Sequence, residues 1–90
     1  MLSFLPKTPT DMMSDLMIRF KTRRKSLKIS QKDLATRSLV SLGSIKRFES
    51  SGHISLESLL KLALVLECLE DFEVVCGERE EMPKSIGELL

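Results

Sequence analysis

Residues 30–52, SQKDLATRSLVSLGSIKRFESSG, decide the fold of this chain of 90 residues. They contain two short segments with helical apolar periodicity, residues 30–38 and 41–50, and each segment opens with a serine. A serine side chain at such a position accepts hydrogen bonds from the free backbone N–H groups of a helix start. The stretch therefore predicts a helix, a tight turn and a second helix.

The second of these helices has two expected faces. Ile45 and Phe48 are three residues apart and are expected to point inward. The other face is left with Leu42, Gly43, Ser44, Lys46 and Arg47. Small residues at the start of a short helix, followed by two adjacent cations, fit the major groove of DNA.

The turn before this helix contains Leu39. A tight turn after a helix usually takes a residue in the left-handed conformation, which glycine adopts at least cost. With leucine there, the turn is either strained or bends in another way.

Charge is divided unevenly along the chain. Residues 1–50 contain eleven Lys or Arg and four acids, a net charge of +7, whereas residues 51–90 contain three cations and nine acids, a net charge of −6. A basic half that includes the candidate recognition helix would orient the chain toward a polyanion. The alternative is a solvated surface whose charges are separated by chance.

Composition and motifs limit the function classes. The chain is 42% hydrophobic and 30% charged, which is typical of one small globular domain. No apolar run is long enough to span a membrane and no signal peptide is recognisable, so a cytoplasmic protein is expected. Cys68 and Cys76 form no CxxC pair and are expected to be buried or half-buried free thiols, with a disulfide or a metal site as the alternative. No metal and no cofactor are expected. Because His53 has no catalytic neighbours in sequence, an enzyme is not expected.

The remaining chain completes an all-helical plan. Residues 1–9 are expected to form an arm, Thr10 to cap a first helix, residues 10–77 to form the domain, and residues 78–90 to form an acidic tail. Ser55 is expected to cap a fourth helix with the apolar stripe Leu56, Leu59, Leu60, Ala63, Leu64 and Leu66. A short fifth helix is expected around residues 69–76, with a strand at residues 73–76 as the alternative.

Several motifs resemble the Cro and lambda-repressor-like domain of the XRE family of bacterial regulators. They are Arg23-Arg24-Lys25, Ile29-Ser30-Gln31, Leu34-Ala35, Ser44-Ile45-Lys46-Arg47-Phe48-Glu49, Gly52 and Ile54-Ser55-Leu56. The resemblance covers roughly residues 16–72 and implies a compact five-helix all-α domain with a helix-turn-helix at helices two and three. The ending SLESLLKLALVLECLEDFE is similar to the HipB-like antitoxin branch. Leu39 departs from the family, which generally has glycine there.

The resemblance implies a role for particular residues. It places Leu42, Gly43, Ser44 and Arg47 nearest the bases or backbone, a phosphate contact at Gln31, and an internal ion pair at Arg24 and Glu49. Base contact is expected for the first four residues, with a phosphate contact or plain surface charge as the alternatives for Arg47. From their chemistry and position we add Lys32, Lys46 and His53 as expected phosphate contacts, with plain solvent exposure as the alternative for Lys46 and His53. A homodimer is expected to form through Leu69, Phe72 and Val75.

The function implied is a repressor that reads a palindromic operator in double-stranded DNA. The HipB-like similarity further implies an antitoxin that binds a toxin kinase or an accessory subunit, with candidate tail contacts at Ile86, Leu89 and Leu90. Two alternatives stay open: a phage Cro-like regulator without a protein partner, and an interaction adaptor that no longer reads DNA.

Overall fold

The computed structural model describes residues 7–78, which form five helices. These are α1 (Pro9–Ser26), α2 (Gln31–Ser38), α3 (Leu42–Ser51), α4 (Leu56–Val65) and a 3₁₀ helix (Leu69–Val74). No strand occurs among the described residues, so the strand considered for residues 73–76 does not form. The expected all-helical class is confirmed.

The helix starts are built from serine and threonine caps. The hydroxyl groups of Ser30, Ser41 and Ser55 accept the backbone N–H of the residue three positions later at 3.0–3.1 Å, as the sequence predicted. Each hydroxyl satisfies one backbone donor that the first turn leaves free. The starts of α2, α3 and α4 are therefore fixed by side chains that the sequence already identified.

The start of α1 differs from the prediction. Thr8 is the cap rather than Thr10, and Pro9 is the first helical residue rather than the end of an arm. Thr8 and Asp11 form a reciprocal capping box, each side chain accepting the other's backbone N–H at 3.1 Å. Hydrogen bonding of the Asp11 carboxyl group to Thr8, first to its backbone N–H and then to its side chain, lowers the pKa of Asp11. The prediction for Thr10 was wrong because it placed Asp11 at the first helical position instead of the third, where the box closes.

Of the two possibilities for the turn between α2 and α3, a strained backbone at Leu39 or a different bend, the structure has the strained backbone. Leu39 has φ 62° and ψ 21°, in the left-handed region, and its N–H donates to the Ala35 carbonyl at 3.0 Å. Its side chain is 85% exposed, whereas the next residue, Val40, is buried. The turn therefore exposes the apolar side chain of Leu39, and no burial of that side chain offsets the cost of its left-handed backbone.

In the core, α3 packs against α1 and α2, and α4 packs against α2 and the 3₁₀ helix. Ile45 and Phe48 are buried as predicted, and the Phe48 ring meets the Phe20 ring edge-on with centroids 5.7 Å apart. Edge-on aromatic pairs add stabilisation beyond the apolar area they bury. The core residues are Phe20, Ile29, Leu34, Val40, Ile45, Phe48, Leu59, Leu62, Ala63 and Leu66.

The stripe predicted for α4 was partly wrong. Leu56 and Leu64 are 67% and 65% exposed, and Leu62, absent from the predicted stripe, is 1% exposed. Leucines occur on every side of this short helix, so their spacing does not single out one buried face. Contact with α2 and the 3₁₀ helix selects the side that carries Leu59, Leu62 and Ala63.

The chain after α4 returns along α1. Arg23 in α1 donates from Nε to the Leu66 carbonyl at 2.8 Å and from Nη2 to the Glu67 carbonyl at 3.5 Å, which satisfies acceptors at the end of α4. The fifth helix is a tight 3₁₀ helix rather than an α-helix. Cys68 is half-buried as expected, whereas Cys76 is exposed, so the expected burial of that thiol was wrong.

Candidate nucleic-acid interface

Helix α3 keeps one face free of the domain interior. Ile45, Phe48 and Glu49 are buried, and the opposite face is exposed. That face carries Gly43, Ser44, Lys46 and Arg47, with Leu42 half-buried at the helix start. The four-residue exposed set is available for contact with another molecule.

Gly43 is a feature of this surface and not of the core. A Cβ atom built at Gly43 would meet no atom of the chain within 4 Å. Internal packing therefore does not require a glycine there. The missing side chain lowers the surface of α3 at its first turn, which allows a ligand to approach the helix backbone closely.

Ser44 serves the helix cap and still offers a donor. The Ser41 hydroxyl accepts the Ser44 N–H at 3.1 Å and donates to the Ser44 hydroxyl oxygen at 2.8 Å. The Ser44 hydroxyl proton remains available, because its oxygen acts as the acceptor in this pair. A polar atom opposite the start of α3 can therefore receive a hydrogen bond from Ser44.

The structure brings Arg24 and Glu49 together. Arg24 donates from Nε to Oε2 at 2.7 Å and from Nη2 to Oε1 at 2.9 Å, and from Nη1 to the Ile29 carbonyl at 2.9 Å. Burial raises the pKa of Glu49, but hydrogen bonds from Arg24 and Gln31 outweigh it and hold that pKa below its usual value. The bidentate pair joins α1 to α3 and stays ionised at neutral pH.

Gln31, expected at a phosphate, is partly engaged inside the domain. Its side-chain Nε2 donates to Oε1 of Glu49 at 3.0 Å. The second amide hydrogen of Gln31 and the backbone N–H groups of Gln31 and Lys32 remain for a ligand, whereas the Asp33 N–H is taken by the Ser30 hydroxyl. Lys32, the next residue, is exposed. The start of α2 thus combines an exposed cation with a side chain whose orientation is fixed.

A cleft lies between the exposed face of α3 and the start of α4. It has a volume of about 390 Å³ and is lined by Ser44, Arg47, His53, Ile54, Ser55 and Ser58. His53 is exposed, and its backbone N–H donates to the Ser51 hydroxyl at 3.2 Å. The cleft therefore brings three of the expected DNA-contacting residues together with two serines of α4.

Ser55 and Ser58 line the cleft although the sequence did not predict an interface role for them. Ser55 was identified only as a helix cap, and it performs that role through the Ser58 N–H at 3.1 Å. Their signal in the sequence is a serine pair directly after the loop that contains His53. The loop length alone did not show that α4 starts beside Arg47.

The residues expected at a dimer interface lie on or beside the 3₁₀ helix, away from α3. Leu69 and Phe72 are partly buried against the core, and Val75 is 65% exposed. Ile86, Leu89 and Leu90 lie outside the described residues. Residues 7–78 contain no cluster of three or more side chains able to bind a metal, and no helix among them has the length and hydrophobicity needed to cross a membrane.

A family model described as helix-turn-helix matches residues 20–72. The matched region runs from the buried Phe20 of α1 to Phe72 of the 3₁₀ helix and includes α2, the Leu39 turn and α3. The chain belongs to the helix-turn-helix family. No curated protein and no solved structure matches the chain. Membership agrees with the broad XRE-type resemblance, and the α2–α3 unit is the helix-turn-helix itself.

Proposed function

We propose that this helix-turn-helix protein is a sequence-specific DNA-binding transcription regulator that inserts α3 into the major groove. The observation that carries the proposal is the division of α3. Ile45, Phe48 and Glu49 anchor it to the domain, while the side that carries Gly43 and Arg47 is exposed. A helix held from one side is suited to present the other side to base edges.

Base readout is assigned to the start and middle of α3. No hydrogen bond among residues 7–78 uses the guanidinium group of Arg47, so all of its donors are open to a ligand. An arginine can make two parallel hydrogen bonds to guanine, which discriminates against other bases by about 1–3 kcal/mol. Leu42 offers an apolar contact for a thymine methyl group, and Gly43 and Ser44 complete the surface.

Backbone contacts are assigned to cations and N–H groups around this surface. Gln31 and Lys32 lie at the start of α2, where a helix favours an anion. Lys46 lies on α3 beside Arg47, and His53 lies in the loop before α4. Contacts of this kind set the register of a protein on DNA but carry no sequence information.

A single recognition helix reads few base pairs, so the proposal includes a two-fold dimer on a palindromic operator. The half-sites would be separated by one turn of DNA, about 34 Å. Binding at a promoter by such a dimer blocks transcription, so we propose a repressor that acts in the bacterial cytoplasm.

The proposal is tested by gel shift with duplex DNA from upstream of the chain's own gene, measured at two salt concentrations. Arg47→Ala should reduce the preference for that duplex over a scrambled one by about 1–3 kcal/mol. Lys46→Ala should weaken binding to both duplexes equally. It should also reduce by about 1 the slope of the logarithm of the binding constant against the logarithm of salt concentration. Lys61→Ala is the control, because Lys61 lies on α4 and pairs with Glu57 at 3.1 Å.

Two results would contradict the proposal. Loss of binding that is equal for Arg47→Ala and Lys61→Ala would show that only overall charge matters. Absence of a shift with any upstream duplex would favour an adaptor that has the helix-turn-helix fold without DNA readout.

A finer proposal concerns a protein partner. The HipB-like similarity of the sequence supports an autoregulating antitoxin, and the apolar residues Ile86, Leu89 and Leu90 in an otherwise charged tail support a binding segment for a toxin kinase or accessory subunit. Deletion of residues 78–90 should weaken capture of the neighbouring gene's product and leave operator affinity unchanged. Equal loss of both activities would count against the tail as a partner site.

A further inference from the structure

An apolar groove runs between α1 and the 3₁₀ helix, on a side of the domain separate from the cleft beside α3. It has a volume of about 730 Å³. Its lining residues are Met12, Leu16, Arg19, Phe20, Arg23, Glu67, Cys68, Asp71, Phe72 and Val75. Among them, Met12 and Val75 are 44% and 65% exposed, so the groove leaves apolar surface uncovered.

The two edges of this groove carry opposite charge. The α1 edge has Arg19 and Arg23, and the facing edge has Glu67 and Asp71, all with exposed side chains. None of the ion pairs among residues 7–78 connects the two edges. Among the described residues, Arg19, Glu67 and Asp71 therefore have no ion-pair partner along the sides of the apolar floor. Arg23 already donates to the carbonyl groups of Leu66 and Glu67, and its Nη1 group remains available.

Two contacts give the relative direction of the two edges. Arg23 Nη2 lies 3.5 Å from the Glu67 carbonyl oxygen, and the Phe20 and Phe72 ring centroids are 6.4 Å apart. The chain therefore runs in opposite directions on the two edges. Arg19 lies one turn before Arg23 on α1, and Asp71 lies four residues after Glu67 on the other edge. Arg19 and Asp71 therefore lie on the same side of the Arg23–Glu67 contact.

We propose that this groove is covered by the same groove of a second copy of the chain. A two-fold axis parallel to the groove places the basic edge of each copy over the acidic edge of the other. Arg19 then faces Asp71 of the partner subunit, and Arg23 faces Glu67 of the partner subunit. An axis across the groove would place like charges together, which is unfavourable. The exposed Met12 and Val75 of each copy fill the apolar floor between them.

A second copy of the chain complements this surface better than a peptide whose charges all have the same sign. A basic peptide would satisfy only the acidic edge, and an acidic peptide only the basic edge. Rotation about the parallel axis satisfies both edges with a single type of contact, as an isologous interface requires. The inference rests on the dimer included in the proposed function, and it adds the surface, the axis and the residue pairs.

The register is tested by charge reversal, with mass determined by light scattering during size-exclusion chromatography over a concentration series. Arg19→Glu alone and Asp71→Arg alone should each weaken self-association about tenfold or more, because each homodimer then contains two repulsive pairs. An equimolar mixture of the two variants should dimerise like the parent chain, since the mixed dimer contains two attractive pairs. Circular dichroism confirms that each variant is folded.

The apolar floor is tested with residues matched in exposure. Val75→Asp should weaken dimerisation, whereas Leu64→Asp should not, because Leu64 is equally exposed at 65% but lies on α4 outside the groove. A monomeric parent chain at all concentrations, or two single variants whose mixture does not recover, would overturn the proposal.

Cys68 provides a measurement of the groove itself. In a Cys76→Ser background it is the sole thiol of the chain, and it lines the groove. Maleimide should modify it more slowly as protein concentration rises. A slow rate of modification that does not depend on protein concentration, and that rises when residues 79–90 are deleted, would contradict the proposal. It would indicate that the chain's own tail covers the groove. Arg47→Ala should still dimerise, so failure of DNA reading and failure of this interface are distinguishable.

Discussion

The side-chain amide of Gln31 donates to the Glu49 carboxylate at 3.0 Å, and through it the start of α2 is tied to the buried edge of α3. Arg24 holds the same carboxylate with two hydrogen bonds from α1. One buried anion thus fixes the relative positions of three helices. Two of them carry the proposed phosphate-contacting and base-contacting residues, so the same network that stabilises the domain also orients its candidate interface.

Removal of this anion should be costly. Glu49→Ala leaves the buried Arg24 guanidinium without its partner, and breaking a buried pair in this way costs about 3–5 kcal/mol. The free energy of unfolding, measured by urea denaturation, should fall by that amount. Glu57→Ala is the matched control, because its pair with Lys61 is solvent-exposed and should contribute less than about 1 kcal/mol. Equal effects of the two changes would contradict the structural role of Glu49.

The same pair predicts a loss of stability in acid. The pKa of Glu49 is lowered in the folded chain below its usual 4.5, so the folded state binds this proton less readily than the unfolded state. Its contribution is complete above the unfolded pKa and disappears as pH falls through the folded pKa. Denaturation between pH 6 and pH 3 should therefore show a decline that is shallower in Glu49→Gln. Parallel pH curves for the parent and the variant would exclude Glu49 as a source of the decline.

Much of this arrangement could be predicted from local patterns. Serines directly before apolar-periodic segments identified the starts of α2, α3 and α4, because caps act within three residues of themselves. The two faces of α3 followed from the spacing of Ile45 and Phe48. The fold class followed from the same patterns, which need no information about distant parts of the chain.

The remaining features depend on contacts that spacing does not encode. Thr8 and Thr10 are both acceptable caps, and the choice depends on which one places Asp11 at the third helical position. Leu62 rather than Leu64 is buried in the core, because α2 and the 3₁₀ helix contact that side of α4. The cleft beside Arg47 forms only when α4 starts next to α3. The charged edges of the groove could not be predicted, because they form only when the chain after α4 returns along α1.

The two described glycines of the α3 region should respond oppositely to substitution. Gly52 has φ +81°, and a Cβ atom there would lie 3.3 Å from the Met13 carbonyl oxygen, so Gly52→Ala should lower the free energy of unfolding by about 1–2 kcal/mol. Gly43 lies within α3 with no atom near its Cβ position, so Gly43→Ala should raise it by about 0.5–1 kcal/mol.

Gly43 also separates stability from DNA binding. A larger residue, as in Gly43→Leu, should leave the fold intact and weaken binding to the upstream duplex, because the added side chain projects from the proposed recognition surface. Gel shift and urea denaturation of the same preparation measure the two effects. A folded Gly43→Leu variant that binds with parental affinity would show that α3 does not approach DNA closely at this position.

Leu39 offers a route to a more stable domain. Its left-handed conformation, φ 62°, costs about 1–2 kcal/mol for a leucine, and its side chain is 85% exposed, so little apolar burial would be lost on replacement. Leu39→Gly removes that strain but adds chain entropy to the unfolded state, which offsets about 0.5–1 kcal/mol. The net expectation is a gain of about 0.5–1 kcal/mol in the free energy of unfolding.

The control is Leu64→Gly, which removes an equally apolar exposed side chain from a right-handed helical position. It should destabilise the domain by about 1 kcal/mol, because glycine is a poor helix former. Opposite signs for the two substitutions in urea denaturation would show that backbone conformation, and not the loss of a leucine, determines the result. A destabilised Leu39→Gly variant would contradict this expectation. It would mean that the exposed leucine makes a stabilising contact in solution, for instance across a dimer, that outweighs the strain of its backbone.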